Sequence, residues 1–114
     1  MKHLLITGFD PFGGETINPS WEAVSRLPDV IGEYRLTKLQ IPTVFGRAAE
    51  AVLAAAGQDR PDVILCVGQA GGRDAVTPER IAINIASAAK PDNAGNQPRE
   101  EAILPGWPDG SFST

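Results

Sequence analysis

The chain has 114 residues, 42% hydrophobic and 21% charged, with a net charge of -4, a profile that fits one globular domain of roughly 100–150 residues. Its apolar runs, Val63–Val67 among them, are far shorter than the roughly 20 residues of a membrane span, and the absence of a basic run argues against nucleic-acid partners. A single cysteine excludes an internal disulfide framework and suits a reducing cytoplasm, and Lys2-His3 enters an apolar run with no signal-peptide cleavage pattern.

Lys2–Thr7 reads as a buried strand that ends at Gly8. Gly8–Gly14 is then a loop broken by three glycines and Pro11. Asn18-Pro19 starts a helix, because Asn caps free backbone N–H groups and Pro at the first helical position loses no needed donor. Pro28 stops that helix near Leu27. Tyr34–Ile41 is a second strand. Val44–Ala56 carries Ala48, Ala49, Val52, Leu53 and Ala56 at helical spacing, with Gly57 as its expected end. Val63–Val67 reads as a buried strand closed by Gly68, and Arg80–Ile85 as a fourth strand with Ile81, Ile83 and Ile85 on one face. Residues 91–114 hold four prolines and three glycines but six hydrophobic residues, which reads as a loop-rich stretch. A compact domain rarely ends on such a stretch, so a longer chain is expected.

The order of elements predicts an α/β fold, layered helix/sheet/helix, with a mostly parallel twisted sheet in residues 1–114. Ligands collect beyond the carboxyl ends of such strands, where Gly8–Gly14 and Gly68–Gly72 lie. Neither loop is a phosphate cradle: no Lys-Ser/Thr follows Gly13, and Gly68-Gln69-Ala70-Gly71-Gly72 lacks the dinucleotide spacing. Cys66 sits in an apolar run and reads as core. His3, the only histidine, is expected about 10 Å from it at ~3.3 Å per residue, too far for a nucleophile–base pair. No metal-ligand spacing is present. Glu79, just before the fourth strand, fits a surface neighbour of an arginine or a working carboxylate. Phe9 and Phe12, flanking Pro11, fit either a cover for the core edge or a hydrophobic ligand wall.

Together the segments Leu5–Gly14, Ile17–Ser20, Gly68–Arg73, Thr77–Asn84, Pro91–Asn93 and Gly95–Pro98 resemble pyroglutamyl peptidase I, the pyrrolidone carboxyl peptidases. The resemblance runs along the whole chain but covers about the N-terminal half of a family member. It implies a phosphorylase/hydrolase-like α/β layering, a thiol peptidase that removes N-terminal pyroglutamate from peptides, no cofactor, and homo-oligomers. By the same resemblance Glu79 orients the catalytic imidazole, Phe9 and Phe12 sandwich the lactam ring, and Asn18 and Gln69 contact the lactam amide or order the pocket. The family's Cys and His lie beyond Thr114, so the chain alone is expected to be inactive. A non-catalytic lactam-binding paralogue and a complementing half of a split enzyme are the alternatives. One departure stands out: the acidic-Ala-Arg-apolar pattern usual before Pro91 is Ser87-Ala88-Ala89-Lys90, which lacks the Arg and sets Lys where an apolar pocket residue is expected.

Overall fold

The computed structural model describes residues 1–113, so Thr114, at the end of the loop-rich stretch, lies outside the described residues. The two longest strands carry the most regular patterning. β1 (Lys2–Phe9) is followed by helix α1 (Pro19–Ser25), the short strand β2 (Val30–Ile31) and β3 (Tyr34–Ile41). Helix α2 (Arg47–Asp59) and β4 (Val63–Cys66) come next, then β5 (Ile81–Ile83) and β6 (Gly110–Phe112). The main sheet has the order β2-β3-β1-β4. β1 lies parallel to β3, from Lys2 beside Tyr34 to Phe9 beside Ile41, and parallel to β4, with Thr7 beside Cys66.

The fold class predicted from the sequence is therefore correct. β1 to β3 and β3 to β4 step across the sheet in opposite directions, so right-handed crossovers put α1 and α2 on opposite faces. This explains why β1 is buried on both faces. Leu4 and Ile6 join Leu36, Val24 and Trp21 under α1, and Leu5 and Thr7 are fully buried on the other side. Each fully buried aliphatic side chain contributes about 1.5–3 kcal/mol relative to exposure. Gly8 faces α1 at the point of closest approach. A Cβ there would stand 2.7 Å from Trp21 Cα and 2.8 Å from its backbone nitrogen.

Several expectations need correction. β1 continues through Gly8 and Phe9, because both pair with β3. α2 starts at Arg47 rather than Val44, after Gly46 at φ 79°, and it runs through Gly57. The stop is Arg60, left-handed at φ 46°. Pro61 follows it, and the residue before a proline is pushed out of the helical region. β4 is not buried: Val63, Ile64 and Leu65 are 43–49% exposed, and Cys66 is exposed too. Among the described residues β4 has β1 on one side and no strand on the other, so its apolar run is not covered. The fourth predicted strand does not join the main sheet. β5 pairs antiparallel with β6, from Ile81 beside Phe112 to Ile83 beside Gly110. The loop-rich stretch thus supplies a strand, which its composition hid.

Gly8→Ala tests the β1–α1 approach. The backbone of α1 must yield to the new methyl group, and overpacking of this kind costs about 1–3 kcal/mol. The urea midpoint should fall accordingly, and an unchanged midpoint would show that α1 moves away freely.

Candidate functional site

The carboxyl ends of β1, β3 and β4 carry the site, and hydrogen bonds from α1 fix its floor. Asn18 caps α1, its Oδ1 accepting the Ser20 N–H at 3.0 Å and the Ser20 hydroxyl at 2.8 Å. Ser20 Oγ in turn accepts the Phe9 N–H at 2.9 Å. Asn18 Nδ2 donates to the Asp10 carbonyl at 3.0 Å. Asn18 and Ser20 are both buried, so the loss of either would leave polar groups stranded. The sequence explains the arrangement: Asn18 is both helix cap and tie to the strand end, and Pro19 needs no N–H at the first helical position.

A second set of bonds holds the outer loops, and sequence reasoning did not find it. Asp10 Oδ1 accepts the Thr43 N–H at 2.7 Å, and the Thr43 hydroxyl lies 2.8 Å from the same oxygen. Asn93 Nδ2 donates to the Pro11 carbonyl at 2.8 Å, and its N–H donates to the Thr43 carbonyl at 3.1 Å. Asp92 accepts N–H groups from Phe45 at 2.7 Å, Ala94 at 2.9 Å and Asn96 at 2.8 Å. Desolvation pushes the Asp92 carboxyl up. The hydrogen bonds from Phe45, Asn96 and Ala94 outweigh it and hold the pKa at about 2, below the ordinary 3.8. The only trace of this in the sequence is Pro91-Asp92-Asn93, with Asp and Asn at turn positions.

These ties surround a cavity of about 440 Å³ lined by Phe12, Ile17, Asn18, Gln69 and Lys90, with Glu15 also on its wall. A wider cleft of about 970 Å³ adjoins it, lined by Phe9, Phe12, Phe45, Ile85 and Lys90 among others. The Phe9 ring leans over Gly68, within 3.6 Å of where a Cβ would stand. Phe12, Asn18 and Gln69 therefore share one cavity, and Phe9 lines its neighbour. Glu79 lines neither. Its carboxylate lies 3.3 Å from Arg73 Nη1, which also donates to the Thr77 hydroxyl at 2.8 Å. The Glu79 side chain is 75% exposed. Of the two readings open from the sequence, a surface pair with an arginine describes its contacts, and the partner is Arg73 rather than the adjacent Arg80.

Cys66 and His3 do not meet. Cys66 stands beside Thr7 in the sheet, four residues along from His3, which is about 13 Å at 3.3 Å per residue. His3 Nε2 lies 2.6 Å from the Thr37 hydroxyl. Among the described residues no three His, Cys, Asp or Glu side chains gather as metal ligands do, and no helix is long and apolar enough to cross a membrane.

Asp92 gives the site a pH signature. Its pKa in the fold lies below its ordinary value, so it stabilises the fold above about pH 4 and that contribution is lost as the pH falls toward 2. The Asp92 carboxyl carbon should titrate with a midpoint near 2 by NMR, and Asp92→Asn should flatten the fall in urea midpoint over that window. A midpoint near the ordinary carboxylate value would remove the loop tie from the account.

The chain and its fold match known proteins closely. The family model described as pyroglutamyl peptidase matches residues 2–114. The pyrrolidone-carboxylate peptidase of Levilactobacillus brevis is 58% identical over 110 residues, which span 96% of this chain and 54% of that protein. The crystal structure of Bacillus amyloliquefaciens pyroglutamyl peptidase I superposes with a TM-score of 0.94 at 51% identity, over 98% of this chain and 55% of that one. A mutant pyrrolidone carboxyl peptidase from Pyrococcus furiosus gives a TM-score of 0.91 at 42% identity, over 98% and 54%. The chain spans about half the length of the curated relatives it matches.

Proposed function

The chain belongs to the pyroglutamyl peptidase family, and from that membership we propose that it forms the lactam-binding part of a cysteine peptidase that removes N-terminal pyroglutamate from peptides. The observation that carries this reading is the shared cavity of Phe12, Asn18 and Gln69 at the carboxyl ends of β1 and β4. Its volume lies within the range of small-molecule sites. A lactam ring is flat and neutral, so it suits aromatic walls and a few amide hydrogen bonds. Gln69 supplies a carboxamide on that wall. Asn18 has both acceptor directions of Oδ1 occupied and one N–H already donated, so its part is to order the pocket, with one N–H left over. Phe12 flanks the ring, and Phe9, leaning over Gly68 in the adjoining cleft, closes the side toward the rest of the peptide.

In this reaction class a thiolate attacks the acyl carbon and an imidazole passes the thiol's proton to the leaving amine. A carboxylate holds the imidazole in the productive tautomer. Glu79 is the group we assign to that last role. It must exchange its contact with Arg73 for an imidazole N–H, which is inexpensive because an exposed pair is worth roughly 0–1 kcal/mol. The thiol and imidazole are groups other than Cys66 and His3, which the sheet register keeps apart. We extend the proposal to a homo-oligomer, on the family resemblance, and to a cytoplasmic protein, supported by the single cysteine.

The 114-residue chain should bind a pyroglutamyl dipeptide and leave it uncleaved. Phe12→Ala should weaken binding about tenfold, the size of an aromatic contact worth ~1.5 kcal/mol. Calorimetry and a fluorogenic pyroglutamyl amide check the two halves of this expectation. Thiol-dependent turnover by this chain alone would overturn the placement of the thiol and imidazole, and affinity indifferent to Phe12 would overturn the cavity.

A further inference from the structure

Lys90 is the one lysine on the wall of the proposed lactam cavity, and it lines the adjoining cleft as well. Its backbone is anchored. Asp92, two residues on, is bound to Phe45, Ala94 and Asn96, and Asn93 is bound to Pro11 and Thr43. Lys90 and Phe12 line both spaces together. Among the described residues Lys90 forms no ion pair, although Glu15 lines the same cavity. Asp92, in the cleft, has its carboxylate taken up by N–H donors. A cation that pairs with neither carboxylate thus borders a slot whose other walls are aromatic, aliphatic and carboxamide groups together with Glu15.

The chemistry that completes such a slot is a carboxylate on a small cyclic amide. Resting on the lactam reading above, we infer that Lys90 sets ligand choice in this cavity, favouring the free lactam acid, 5-oxoproline, over the same lactam in amide linkage. The two ligands share the ring and its carbonyl. They differ at the α-carbon, where the acid carries a charge and the amide does not. The acid is also what hydrolysis of a pyroglutamyl bond releases, so the same contact makes this cavity retain product more strongly than an apolar side chain at position 90 would. Among the described residues the Ser87-Ala88-Ala89-Lys90 segment supplies the only cation of that wall.

The test compares L-pyroglutamate with L-pyroglutamamide binding to the 114-residue chain by NMR titration at low salt. The acid should bind about threefold to fivefold more tightly, the size of an exposed charge contact, and 0.5 M NaCl should erase most of the difference by screening. Lys90→Met should abolish the preference, while Lys90→Arg should keep it. An acid that binds no better than the amide, or a preference that survives Lys90→Met, overturns the inference and leaves the lactam reading standing. Binding of neither ligand overturns the lactam reading, and this inference with it.

Discussion

The buried hydrogen-bond relay from Phe9 through Ser20 to Asn18 and back to Asp10 is the constraint on which the site depends. It joins the last residue of β1 to the cap of α1. It works because Gly8 lets the helix backbone approach the strand closely. In a low-dielectric setting such linked bonds reinforce one another, and each is costly to leave half made. One short segment thus sets the strand end, the helix entry and the departure angle of the loop that carries Phe12. The outer bonds from Asp10 to Thr43 and from Asn93 to Pro11 then fix the far side of the same loop.

The parts that the sequence makes legible are those set by local chemistry. Asn18-Pro19 announces a helix start that the structure keeps, and Tyr34–Ile41 forms a strand over the predicted residues. The family resemblance, carried by loop motifs rather than by periodicity, agrees with the family to which the chain belongs. What escaped reading depends on partners distant in sequence. The Val63–Cys66 run is apolar enough for a strand covered on both sides, but coverage is a property of its neighbours. β6 forms only because Ile81–Ile83 is there to receive it. Asp10, Thr43 and Asn93 are separated by up to 83 residues, and none has a local pattern that marks it. The end of α2 differs from the expected Gly57 for a local reason: a helix tolerates a glycine for about 1 kcal/mol, whereas Pro61 disfavours the helical conformation at Arg60.

The site is organised unequally. Phe12 and Asn18 of the cavity stand on a loop and a helix cap tied by several hydrogen bonds. Glu79 stands on the run between Gly68 and Arg80, where exposure is general and Val76 is 97% exposed. Segments with few buried contacts open at low free energy. The Phe12 and Asn18 side of the cavity is therefore held in place, whereas Glu79, like Gln69, rests on a segment with little of its own to fix it. For the role proposed for Glu79, rigid support within about 0.5 Å would have to come from whatever packs against that segment.

β1 is the earliest strand in the chain and also the centre of the main sheet, with β3 on one flank and β4 on the other. Its first flank closes a loop to residues 34–41 and its second a loop to residues 63–66. Loop-closure entropy must be met before either contact repays it, and topologies of this kind fold more slowly than those built from near neighbours. During synthesis the Leu4–Thr7 run leaves the ribosome well before either flank exists. It must stay out of other associations until about residue 66 has followed it, so the most deeply buried strand of the fold is also the one that waits longest for its place.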